Sequence, residues 1–194
     1  MSTSTTTADL SREVAGQPFP APGTYVIDPV HSTVGAVARH LVVSKVRGTF
    51  SDFSGAVVVG DGPADSQVSV QIQAASVDTR SPDRDTHLRS PDFLDVEQHP
   101  TLAFVSTGVT REGGTWQVRG DLTIRGRTVP VVLDTAYHGT FVNPWGAQVA
   151  AFSASTSINR EDFGMVWNAP LEAGGVLVGK RLEIELEVQA QLQR

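Results

Sequence analysis

The chain has 194 residues, 40% of them hydrophobic, and a net charge of −6. That size suits one domain with a substantial core, and the acidic balance argues against a nucleic-acid partner, which needs a clustered basic field. The absence of cysteine excludes disulfides, thiolate metal sites and thiol nucleophiles.

The first residues, "MSTSTTTADLSREVAG", carry neither the basic nor the apolar region of a secretory signal. No run approaches the ~18 apolar residues of a membrane span, so the cytoplasm is the expected compartment. Residues 1–22 are Ser/Thr-rich and then Pro-rich ("GQPFPAPG"), which predicts a flexible tail or an arm laid across the surface, with the folded domain over 23–194.

From residue 23 onward, period-two alternation dominates the chain and predicts half-buried strands. Strands are expected at about 25–40, 50–60, 67–74, 101–109, 116–125, 128–138, 148–158 and 181–193. In "RLEIELEVQAQLQ", Leu182, Ile184, Leu186, Val188, Ala190 and Leu192 share one face, and Arg181, Glu183, Glu185 and Glu187 the other. Turn signals divide the runs at Asp61-Gly62-Pro63, Gly113-Gly114, Arg125-Gly126 and Gly174-Gly175. About eight antiparallel strands with one apolar face predict an all-β fold, either a closed barrel, which also removes exposed edges, or a two-sheet sandwich.

One segment breaks the alternation. "SPDRDTHLRSPDFLD" holds two Ser-Pro-Asp helix starts, at Ser81 and Ser90, and so predicts two short helices near 82–95. Asp83–His87 and Asp85–Arg89 are spaced as i,i+4 pairs, with Leu88, Phe93 and Leu94 as the docking face. A metal site from His87, His99 and nearby acids matches no compact ligand spacing, and structural capping is the reading preferred.

Other candidates are weaker. His31 and His40, nine apart, face opposite sides of an uninterrupted strand, and Asp28 could orient His31. No serine occupies a nucleophile-elbow pattern. Lys45, Arg47, Arg125 and Arg127 are expected at hairpin ends, or ringing a barrel mouth where an anionic head could dock. Small residues on inward faces, Ala36, Ala38 and Ala154 among Val34 and Phe152, can leave a cavity or accommodate a bulky neighbour.

The ordered pieces "IDPVHS", "RHLVVSKVRGTF", "DFSG", "SVDTRSPDRDTHLRSPDFLD", "HPTLAFVST", "GDLTIRGRT", "NPWG" and "NREDFG", spread from about Gly23 to Gln191, resemble the YceI-like family of lipocalin-like polyisoprenoid-binding proteins. The resemblance implies an eight-stranded antiparallel barrel whose apolar tunnel holds a polyisoprenoid chain, with a pyrophosphate or quinone-like head near one opening. It also implies a binding or carrier role without catalysis, no cofactor or metal beyond the bound lipid, and often a dimer. The tunnel residues expected are Val34, Ala36, Ala38, Val70, Ile72, Leu88, Phe93, Phe104, Leu122, Ile124, Phe152, Ala154 and Ile184. Lys45, Arg47, Arg84 and Arg160 are head-group candidates from charge alone.

Two departures stand out: many family members carry a signal peptide, and the first long strand usually has an aromatic where this chain has Ala36. Two other function classes compete with the carrier. One is an enzyme acting on a small apolar or isoprenoid substrate through His31 or His87 with a nearby acid. The other is a filled barrel serving only as a protein-interaction module.

Overall fold

The computed structural model describes residues 10–14, 16–41, 44–170 and 177–193. A short hairpin, β1 (Ser11–Val14) and β2 (Gln17–Pro20), comes first. It is followed by β3 (Gly23–Ile27), β4 (Thr33–His40), β5 (Ser44–Phe50), β6 (Phe53–Val59), β7 (Gln67–Gln73) and the short β8 (Val77–Asp78). A helix, α1 (Pro82–Arg89), precedes β9 (Thr101–Glu112), β10 (Thr115–Ile124), β11 (Arg127–Val142), β12 (Gln148–Asn159) and β13 (Val178–Leu192).

The alternation decides the burial. Along β13 the glutamates at 183, 185 and 187 are exposed while Leu182, Ile184, Leu186 and Val188 turn inward. Such one-sided strands must cover their apolar face, and here they do so by closing. β13 pairs with β12, β12 with β11, β11 with β10, β10 with β9, β9 with β7, β7 with β6, β6 with β3, and β3 with β13, all antiparallel. The ring is an eight-stranded barrel, and the sandwich alternative falls away.

Two of the expected strands are bent in the middle. The predicted 25–40 strand is β3 and β4, separated by a turn in which the Val30 amide donates to Asp28 Oδ1 at 2.9 Å. The predicted strand over 50–60 begins earlier, at Ser44, and breaks at Ser51–Asp52 between β5 and β6. β3 and β6 stay in the ring, whereas β4 and β5 form a hairpin against the first half of β13. The outer edge of β5 pairs with β8, through Thr49–Asp78 and Phe50–Val77. At that end of the barrel, α1 and the segment after it form a wall, with Arg84, His87, Leu88, Phe93 and Leu94 facing inward.

The insert holds one helix rather than two. Ser90 is extended, as the residue before a proline tends to be, so α1 stops there. Residues 91–94 then form turns, and Asp95 adopts a left-handed conformation. The expected i,i+4 pairs do not form either. Buried Asp85 accepts from the Thr79 amide at 2.9 Å and its hydroxyl at 2.6 Å. Arg89 donates to the Ala75 and Val77 carbonyls, both at 2.8 Å, and His87 meets Asp92 instead of Asp83. Ser81 supplies no side-chain cap. Strand ends and turns nearby offer these groups better partners than the helix itself.

Within the segment expected as a tail, β1 and β2 pair antiparallel, docked at the end of the barrel opposite α1. Leu10 and Phe19 are buried, and the Phe19 ring lies 4.9 Å from that of Trp116 at the start of β10. Arg12 stacks over Phe19 and donates to the Gly60 carbonyl.

Candidate functional site

Many inward side chains of this barrel, including Val34, Val70, Leu122, Phe152 and Ile184, are only half-buried although none faces the surrounding solvent. They border empty space. One chamber, of about 190 Å³, runs up the barrel from Phe19 and Pro20 and presents an apolar wall throughout. A second, of about 300 Å³, lies at the α1 end between the β4–β5 hairpin, α1 and the Arg160–Phe163 turn. The two adjoin, sharing Ala36, Phe50, Leu102, Ile124 and Ile184 as a waist. Together they reach the scale of cavities that hold small organic ligands, roughly 300–1,000 Å³.

The structure places every expected tunnel residue on these walls. Val34, Val70, Ile72, Phe104, Leu122, Phe152 and Ala154 face the long chamber, Ala38, Leu88 and Phe93 the α1-end chamber, and Ala36, Ile124 and Ile184 both. Close packing on one side sets the shape of the long chamber: Phe104 lies against Gly120, where a Cβ would come within 2.5 Å of its ring. β10 shifts register beside that glycine.

The four head-group candidates separate. Lys45 and Arg47 are exposed on either side of Val46, which is the residue of that strand stretch that faces the chamber, so both point away from it. Arg84 is on the wall, its Nε donating to Thr79 Oγ1 at 2.7 Å and its Nη2 to the Thr79 carbonyl at 2.8 Å. Arg160 is also on the wall, and only 1% of it is exposed. Its Nε donates to the Gly179 carbonyl at 3.0 Å and its Nη1 to that of Met165, while Nη2 has no partner among the described residues. Burial lowers its pKa from the ordinary arginine value, and the charge of Glu161 partly opposes this. A guanidinium nevertheless keeps its proton.

Aromatic rings crowd the same chamber. His87 sits edge-on to both Phe93, at 5.0 Å between centroids, and Trp167, at 4.6 Å. Its Nε2 is 2.9 Å from Asp92 Oδ2. His31 lies on neither wall: it is more than half exposed in the β3–β4 turn, 2.8 Å from Asp28 Oδ2. That contact, first among several, holds the Asp28 carboxyl below the usual range. His40, at the far end of β4, is not brought near His31, and no group of three His, Asp or Glu converges among the described residues. The site also contains residues that alternation does not reveal. Phe19 lies in the short hairpin and Trp167 in an irregular stretch, so neither has a strand period to declare its direction.

Comparison with known proteins agrees with this architecture. The model of the YceI-like domain matches residues 25–190. A UPF0312 protein of Staphylococcus epidermidis is 40% identical over 167 residues, covering 84% of this chain and 94% of that one. Two solved structures share the fold. BcnA of Burkholderia cenocepacia has a TM-score of 0.72 at 22% identity, over 84% of this chain and 99% of its own. A polyisoprenoid binding domain from Saccharophagus degradans, implicated in plant cell wall breakdown, has a TM-score of 0.66 at 12% identity, over 87% of this chain and 98% of its own. The closed barrel, the helical insert and the matched span together establish that this chain belongs to the YceI-like family.

Proposed function

We propose that this protein is a non-catalytic carrier that holds a polyisoprenoid lipid, a prenyl pyrophosphate or an isoprenoid quinone, inside the barrel. The observation that carries the reading is the pair of adjoining chambers with an apolar bore between Phe19 and α1. An apolar chain burying ~300 Å² of its surface there gains about 7 kcal/mol at ~25 cal/mol per Å², before the ordering of the chain takes part of it back. The polyisoprenoid binding of the Saccharophagus domain, which shares the fold, supports the same assignment.

The histidine–acid pairs support a role without catalysis. His31 and Asp28 lie outside the bore, and His87 is fixed by Asp92 and wedged edge-on against two rings. That arrangement orients and packs a side chain. The test is solvent extraction of the purified protein with mass spectrometry of the extract, alongside native mass spectrometry of the intact chain. One isoprenoid per chain, lost on denaturation, is the expected result. A clean apo mass from a host rich in quinones and prenyl phosphates would overturn the reading.

A further inference from the structure

The barrel end opposite α1 carries an apolar projection that the carrier reading leaves unused. β12 begins at Gln148, where β13 is near its end, so the turn over residues 143–147 that joins β11 to β12 stands beyond the barrel rim. Trp145 in that turn is 83% exposed, and Phe141 and Val142 just before it are 44% and 47% exposed. Single exposed apolar side chains are ordinary, but three large ones in so short a stretch form a patch.

Two local devices produce this projection. On β11, Val131, Leu133, Thr135 and Tyr137 face the long chamber, and unbroken alternation would turn Phe141 inward as well. A bulge between Tyr137 and Gly139 reverses the phase, so that Thr140 is buried and Phe141 faces out. In the turn, Asn143 Oδ1 accepts from the amides of Trp145 at 3.1 Å and Ala147 at 2.9 Å. The Gly146 amide donates to the Asn143 carbonyl and the Asn143 amide to that of Ala147, both at 2.9 Å, and Pro144 has no N–H. Every amide from 143 to 147 is therefore satisfied within the turn.

Charge is missing as well. No Asp, Glu, Lys or Arg occurs from Thr135 to Asn159, in a chain of net charge −6. A protein partner of ordinary size meets a broad patch with a polar rim and hydrogen bonds across it. A narrow turn whose amides are already bonded offers neither. Its features match the bilayer interface, where aromatic side chains settle at headgroup level and an unbonded amide or a charge is costly. β2 packs beside β11, so the same end of the molecule holds Phe19 and the close of the long chamber.

We propose that the β11–β12 turn is a membrane anchor, which seats Trp145 with Phe141 and Val142 in the interface of a zwitterionic phospholipid bilayer and turns the Phe19 end of the barrel to the membrane. The acidic net charge gives no attraction to anionic headgroups, so docking is apolar and insensitive to salt. The proposal goes beyond the carrier reading and does not need it, since a barrel without ligand docks in the same way.

The test titrates the full-length protein with phosphatidylcholine vesicles and reads both cosedimentation and tryptophan emission. Trp116 is buried and Trp167 half-buried, so exposed Trp145 dominates any change in emission. The wild type should partition onto the vesicles, with emission moving to shorter wavelength and quenched by brominated acyl chains. Trp145→Ala, at an exposed turn position, should weaken partitioning at least about fivefold and abolish the emission shift, whereas Trp145→Phe should stay within about threefold of the wild type. Val105→Ser, which removes an exposed valine from the side of the barrel, should partition like the wild type. High salt should change wild-type partitioning by less than about twofold. Failure of the wild type to partition, or partitioning that Trp145→Ala leaves unmoved, would overturn the anchor. So would partitioning that requires an anionic lipid and vanishes in salt. Self-association lost in Trp145→Ala, without any vesicle binding, would overturn it too and assign the turn to a second copy of the chain. None of these results bears on the lipid extracted from the barrel, so the carrier reading stands or falls separately.

Discussion

Ala36 sits where the two chambers meet, opposite Ile184 on β13 and Gly48 on β5. Its neighbours across the strands therefore include a glycine, and the space beyond its methyl is part of the waist. Ala36→Phe should close the passage without displacing a packed side chain, and a tail longer than one chamber should no longer fit. We expect the folded variant to lose at least tenfold in affinity for a C20 isoprenoid, read by isothermal titration calorimetry, with Ala154→Phe acting more weakly from within the long chamber. Unchanged binding would mean that the tail does not cross the waist. Period two makes these positions legible in the sequence, since each inward residue announces its neighbours at i±2. The same rule, applied to β5, turns Lys45 and Arg47 outward once Val46 is known to face in. Charge alone has no such directional content, and it nominates them beside Arg160, whose burial only the tertiary structure reveals.

At the level of elements, the β1–β2 hairpin forms the floor of the long chamber. It precedes the span matched by the family model, which begins at residue 25. Phe19 reaches the cavity wall between Pro20 and Trp116 and is held by ring contact and by Arg12. Truncating a buried phenylalanine costs about 3 kcal/mol or more and leaves a void. In a carrier that void lengthens the bore. Phe19→Ala should shift the lipids recovered by extraction towards longer tails, and an unchanged length distribution would show that the tail stops short of the hairpin. The Pro-rich composition of this segment signals irregular chain but not where it docks, because the contacts that hold Phe19 and Arg12 come from Trp116 and Gly60, far along the sequence. Likewise the two Ser-Pro-Asp starts rest on local rules, and the second fails because Ser90, placed before Pro91, ends the helix there.

For the whole molecule, hollowness and stability pull against each other. Protein interiors are normally packed as densely as organic crystals, and side chains bordering a void forgo dispersion contacts on that side. Here a file of inward residues on most strands of the ring gives up such contacts, so the empty barrel is less stable than its strand pairing allows. A ligand that binds only the folded state restores the difference by mass action, adding about 2.7 kcal/mol at a hundredfold excess over its dissociation constant. In a domain of this size each kcal/mol is worth roughly 2–4 °C, so saturating geranylgeranyl diphosphate should raise the melting temperature of stripped protein by about 5–10 °C. Ala36→Phe provides the complementary case. By filling the waist it should melt higher than the stripped wild type and gain nothing from added lipid, which is the exchange of function for stability that a filled cavity implies. Scanning calorimetry on both proteins, with and without lipid, checks this. If the stripped wild type and the variant melt together and respond alike to lipid, the cavity is not where the ligand binds.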